Sequence, residues 1–231
     1  MKIGGLEKTT LVDFPGKVAC TVFTIGCNFR CPFCYSSELV LPEKIKNHPD
    51  ISEKIFFDFL KERQGLIEGV VICGGEPTIH EDLLEFIKKI KKLGFLVKLD
   101  TNGSNPKIIK KLVKESLVDY IAMDIKASKE KYNKKSFFNA KIQDIQESID
   151  FIKQGKVDYE FRTTIVPTIH TKKEVVKMAN WIGGSKKYFL QRFRPEKTIN
   201  SDFEKIKSFA DQEIQNMLKE IAKSFEICKL R

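Results

Sequence analysis

The feature that most constrains this chain is an alternation of short apolar runs with segments of helical periodicity. The runs fall at residues 18–25, 69–73, 95–99, 120–125, 157–166 and 188–191, and they predict six buried strands. Helical spacing falls at 52–63, 81–93, 106–115, 144–154, 172–181 and 211–225. Strands that alternate with helices in this way form parallel sheets joined by right-handed crossovers. Six units are too few for a closed eight-stranded barrel, so the expectation is an α/β fold, a partial, open (β/α)6 TIM-like barrel with parallel strands. No internal repeat interrupts the pattern. Residues 1–231 therefore read as a single domain, with a core at about 16–195 and a helical extension at about 196–231.

Apolar residues make up 42% and charged residues 31%, without low-complexity tracts, which is the composition of an ordered chain. The net charge of +10 comes from lysines interleaved with glutamates, as at 85–92, a pattern that fits a solvated helix face. A nucleic-acid partner is not expected from it. The N-terminal stretch lacks the apolar core of a secretory signal, and no apolar run approaches membrane-spanning length, so a cytoplasmic protein without a membrane partner is expected. Six cysteines in that setting point to metal binding or catalysis rather than to disulfides.

Three of them form the strongest signal, Cys27-Asn-Phe-Arg-Cys31-Pro-Phe-Cys34, directly after the first buried run. Thiolates packed into eight residues can converge on one iron–sulfur cluster. Three ligands on a four-iron cluster leave one iron open, and an open position is what a metal centre needs to bind a substrate. Zinc is the competing reading. No fourth ligand lies at zinc-finger spacing, and His48, His80 and His170 are scattered.

Polar clusters follow the next strands. In Cys73-Gly74-Gly75-Glu76-Pro77, paired glycines let the backbone approach a ligand, and Glu76 can accept from an ammonium group. Asp100-Thr101-Asn102-Gly103 and Met123-Asp124-Ile125-Lys126 read alone as turns or helix caps, but they fall at the carboxyl ends of strands, where barrels keep their active sites. An acidic residue there can take ribose hydroxyls or a monovalent cation, and a lysine can meet a carboxylate. Arg162, inside an apolar strand, calls for an anionic ligand or a buried carboxylate. Arg192 and Arg194 read as surface or partner contacts.

The Cys-x3-Cys-x2-Cys spacing, with aromatic Phe33 before the last cysteine, resembles the signature of the radical S-adenosylmethionine (radical SAM) superfamily, and Cys73 to Pro77 resembles its Gly-Gly-Glu motif. The resemblance implies one [4Fe-4S] cluster on Cys27, Cys31 and Cys34, and S-adenosylmethionine chelated by the open iron. It also implies reductive cleavage of S-adenosylmethionine to a 5′-deoxyadenosyl radical. Contacts to that cofactor would come from Phe33, Cys34, Tyr35, Gly74, Gly75, Glu76, Asp100, Thr101, Asp124, Ile125, Lys126 and Arg162. The run from Gly4 to Gly16, continued through the cysteines to Val40, resembles the activating proteins of anaerobic ribonucleoside-triphosphate reductase within the glycyl-radical-enzyme activases. Such an oxidoreductase would take an electron from flavodoxin or ferredoxin and set a glycyl radical on its partner, anaerobic ribonucleotide reductase. Two positions depart from activases: Tyr35-Ser36 replaces His-Asn, and Phe193 stands at about the place of a histidine. A radical enzyme for a small molecule or tRNA, and an iron–sulfur electron carrier or redox sensor, are the alternative readings.

Overall fold

A computed structural model describes residues 1–132 and 140–231. Its eight-stranded sheet runs in chain order: β1 (Ile3–Thr10), β2 (Ala19–Thr24), β3 (Gly69–Gly74), β4 (Leu96–Thr101), β5 (Tyr120–Asp124), β6 (Asp158–Ile165), β7 (Lys187–Arg192) and β8 (Ile227–Leu230). The helices are α1 (Ser37–Val40), α2 (Pro42–Ile45), α3 (Glu53–Glu62), α4 (Leu83–Lys92), α5 (Pro106–Lys114), α6 (Lys129–Tyr132), α7 (Ile142–Ile152), α8 (Lys172–Trp181) and α9 (Asp211–Ile221). All pairings from β2 to β8 are parallel, and the two ends of the sheet do not pair with each other, so the barrel is open.

The six expected strands are β2 to β7. Two others were not anticipated. β1 pairs antiparallel with β2 and carries register shifts on both sides of residues 5–7. Gly4 and Gly5 interrupt its side-chain pattern, and only Ile3 and Thr10 at its ends are buried, so it shows no period of two. β8 is a four-residue edge strand without a buried side chain, which leaves nothing for a hydrophobic pattern to reveal. The segment expected to be a C-terminal helical extension therefore contains α9 but ends on a strand. The helix expected at 211–225 stops at Ile221 and tightens into a 3-10 turn at Ala222–Ser224 before the chain re-enters the sheet.

Helix starts follow local chemistry. Ser52, Asn105 and Thr171 cap α3, α5 and α8 by accepting main-chain N–H groups of Ile55, Ile108 and Glu174, and Pro106 occupies the first turn of α5. Two cores result. The larger lies between the convex face of the sheet and the helices, where Ile72, Leu99, Ile121 and Phe161 belong to the same cluster as Phe56, Ile87, Ile149 and Met178. A smaller one, Phe14, Ala19, Val71 and Tyr120, fills the concave side near the strand starts. Beside it Tyr120 Oη donates to Glu160 Oε2 at 2.8 Å, and Arg231 meets the Glu160 carboxylate at 2.6 and 3.0 Å. The base of the barrel is thus plugged, and its open volume lies toward the carboxyl ends. Among the described residues no helix is long and apolar enough to cross a membrane.

Phe14, 4% exposed, closes that plug against Tyr120, with ring centroids 6.1 Å apart. Phe14→Ala should lower unfolding stability by about 3 kcal/mol, read by urea titration, because the small concave core has few neighbours able to fill the space.

Candidate active site

The cysteine loop leaves β2 through Gly26, whose φ of +101° suits glycine. The turn after β3 then locks onto it: Gly75 N–H donates to Thr24 O and Glu76 N–H to Gly26 O, both at 2.8 Å. A Cβ at Gly75 would stand 1.9 Å from Gly26 O, so only glycine allows this approach. Asn28 joins the loop to the end of β4, accepting from Asn102 Nδ2 at 3.0 Å and donating to Ser104 Oγ at 2.8 Å. Phe29 and Phe33 sink into the larger core, Phe33 edge-on to the His170 ring. From the far side, Ile199 N–H donates to Cys34 O and Asn200 N–H to Pro32 O, both at 3.0 Å, so the segment after β7 straps the loop down.

A cavity of about 340 Å³ opens beside this loop. Cys27, Cys31 and Cys34 line it, together with Phe33, Tyr35, Gly74, Gly75, Glu76, Asp100, Thr101, Asp124, Lys126 and Arg162. The structure brings these expected residues together around one cavity. Ile125 differs: its side chain is fully buried in the larger core, and its backbone pairs with β6 through Arg162 O and Thr163 Oγ1. Glu76, 1% exposed, spends its oxygens on the protein, accepting from Thr78 N, Thr78 Oγ1 and Thr101 Oγ1 on Oε1 and from Asn102 N on Oε2 at 2.6 Å. It ties the end of β3 to the end of β4 while still bordering the cavity. Burial pushes its carboxyl above the usual range, against the pull of those four donors.

The opposite wall is a chain of alternating charges. Lys98 Nζ is bonded to Asp100 Oδ1; Asp100 Oδ2 accepts from Arg162 Nη1 at 2.9 Å; Arg162 Nε donates to Asp124 Oδ1 at 2.9 Å; Lys126 Nζ donates to Asp124 Oδ2 at 2.8 Å. Burial would raise the Asp124 carboxyl, but Arg162 and Lys126 outweigh it and hold it down to about 2. Asp100 is lowered for the same reason, by Arg162 and Lys98 against burial. The expected carboxylates and Arg162 are therefore partners of one another, and a dissolved monovalent cation finds neither carboxylate unpaired. Sequence reasoning missed three supporting residues. Lys98, within the run at 95–99, is 1% exposed. Tyr132 Oη accepts from Lys126 N–H at 2.7 Å. His170 Nδ1 accepts from Val166 N–H, which leaves the proton on Nε2 to donate to Lys126 O at 3.0 Å. Burial lowers His170 to about 4, so the ring is neutral.

The two departures from the activase pattern turn out to touch. Tyr35 and Phe193 stack with centroids 6.1 Å apart and planes 15° apart, and Tyr35 Oη accepts from Arg194 N–H at 2.7 Å.

The thiols suit an iron–sulfur cluster. Burial pushes Cys27 and Cys31 up to about 12 and raises Cys34, so they await a cationic centre before ionising. Among the described residues no three His, Cys, Asp or Glu side chains are arranged to hold a metal ion. The three sulfurs border one cavity instead, as ligands to different irons of one cluster must.

The fold and this three-thiol cavity define a radical SAM enzyme, and the chain belongs to the radical SAM superfamily, whose family pattern matches residues 21–182. Membership implies S-adenosylmethionine and a [4Fe-4S] cluster as cofactors. A Methanocaldococcus jannaschii protein with the provisional name glycyl-radical enzyme activating enzyme is 32% identical over 96% of this chain and 92% of its own length. A second protein of that organism with the same provisional name is 32% identical over 70% of this chain and 62% of its own. Among solved structures, Streptococcus suis SuiB superposes with a TM-score of 0.67 at 12% identity, covering 90% of this chain and 48% of SuiB, a likeness of fold. This chain spans about half the length of that protein.

Gly75→Ala should displace the cysteine loop, and the variant should retain less than half of the wild-type iron per chain after anaerobic reconstitution. Asp124 contributes stability that is complete above the unfolded carboxyl value of about 4 and is lost as pH falls toward 2. Urea midpoints measured from pH 5 to pH 3 should therefore fall more steeply for the wild type than for Asp124→Asn.

Proposed function

We propose that this radical SAM enzyme is an activase that generates a glycyl radical on a partner enzyme, and that the partner is an anaerobic ribonucleoside-triphosphate reductase. The observation that carries the reading is near full-length identity of 32% to a protein provisionally named as such an activating enzyme. The run from Gly4 to Val40, with its resemblance to reductase-activating proteins, supports the partner. Cys20, Cys73 and Cys228 lie apart on β2, β3 and β8, and Cys20 is an ordinary member of the larger core.

In this reading Cys27, Cys31 and Cys34 hold the cluster. When bound and reduced by flavodoxin or ferredoxin, the cluster supplies the electron that cleaves S-adenosylmethionine to methionine and a 5′-deoxyadenosyl radical. This chain's residues do the rest. Gly74 and Gly75 offer a close-approaching backbone, and Lys126 and Arg162 present positive charge to the methionine carboxylate. Thr101 and the carboxylate-bearing wall take hydroxyl groups, while Phe33 and the Tyr35–Phe193 stack keep water from one side of the cavity. The plug at the barrel base leaves the carboxyl ends as the entrance for a partner's glycine loop.

Anaerobic protein supplied with dithionite and S-adenosylmethionine should release 5′-deoxyadenosine, and with the reductase present should give a glycyl-radical signal by electron paramagnetic resonance. Cys31→Ala should give neither while keeping its thermal midpoint within a few degrees of wild type. Release of 5′-deoxyadenosine with no radical on the reductase would redirect the reading to a small-molecule or tRNA substrate; no release at all, to an electron carrier.

A further inference from the structure

The charged wall of the cavity contains three cations, Lys98, Arg162 and Lys126, and two anions, Asp100 and Asp124, a balance of one positive charge. The end members differ in kind. Lys126 borders the cavity, whereas Lys98 does not and sits at 1% exposure on β4, two residues before Asp100 and on the same face of the strand. Register explains its depth. Lys98 pairs with Val71 of β3 and Tyr120 of β5, the row of the small concave core, while Asp100 pairs with Ala122 one row nearer the mouth.

A lysine in an apolar row is costly to bury, and among the described residues the one acid it reaches is Asp100. Its effect propagates outward. With one Asp100 oxygen held from below, the other is presented to Arg162, and the guanidinium is shared between Asp100 and Asp124 through different nitrogens. Asp124 then keeps its second oxygen for Lys126, whose backbone is fixed by Tyr132 and His170. Removing Lys98 would leave Asp100 with Arg162 alone, and the guanidinium would be drawn toward the uncompensated carboxylate and away from Asp124.

We propose that Lys98 is a positioning residue and built-in counter-ion for the S-adenosylmethionine site: its ammonium completes the charge balance of Asp100 and Asp124, so that cofactor binding needs no dissolved cation. The inference rests on superfamily membership and is independent of which partner receives the radical.

The test measures S-adenosylmethionine affinity for anaerobically reconstituted protein with its cluster left oxidised, so that no turnover occurs. Sodium, potassium and choline chloride are compared at one ionic strength. Wild-type affinity should agree within about twofold across the three salts. Lys98→Met should bind at least about tenfold more weakly in choline, and sodium or potassium should restore most of the loss by occupying the place of the ammonium; a merely structural lysine would give a loss that no salt repairs. Lys98→Met/Asp100→Asn, which removes both charges, should bind weakly in all three salts. Wild-type affinity that changes with the cation, or a Lys98→Met protein that binds like wild type in choline or fails to respond to sodium and potassium, overturns the proposal. Should Lys98→Met not fold, the wild-type salt series and the double variant decide it: a wild-type affinity that changes with the cation, or a double variant that sodium or potassium restores, overturns the proposal. Because the readout is binding, failure here leaves the activase reading intact, and a partner without a radical leaves this one intact.

Discussion

Arg162 is shared between two carboxylates from two other strands, and the arrangement of the cavity depends on that sharing. β4, β5 and β6 each deliver one acid or base to it, and parallel register is what brings them within reach: Asp124 lies opposite Arg162 directly, and Asp100 one row below. Buried charges are costly unless each finds partners of good geometry, and here every member of the chain has one. The wall is therefore set before any ligand arrives. The same strands present apolar side chains to the helices on alternate positions, so stability and chemistry are divided between the two faces of one sheet.

That division decides what the sequence could reveal. β2 to β7 stood out because strands covered by helices need apolar side chains on their outer face, and the helices between them repeat at 3.6 residues. β1 and β8 escaped because edge strands bury little; their pairing is made by backbone groups, which leave no mark on composition. The cysteine loop was legible because its chemistry is compressed into eight residues. Lys98, Tyr132 and His170 were not: Lys98 lies inside a run read as an apolar strand, and Tyr132 and His170 act through contacts to the Lys126 backbone that leave no motif in the sequence. His170 reaches Lys126 across 44 positions. Ile125 stands beside Asp124 and Lys126 in sequence, yet alternation along the strand turns its side chain to the opposite face.

Tyr35 and Phe193 illustrate a third case. Separately, each reads as a departure from a pattern; in space they replace polar groups by one aromatic stack at the rim. What this stack offers to a visitor is a flat, apolar surface with a phenol oxygen engaged by the Arg194 backbone.

The strap formed by Ile199 and Asn200 carries a consequence for biogenesis. Two backbone anchors of the thiol-bearing loop are supplied by residues synthesised more than 160 positions later. Until those residues have been made and have joined the fold, the three sulfurs sit on a loop lacking both anchors. The shape of the thiol-bearing loop is accordingly set by long-range pairing, not by the cysteine segment alone.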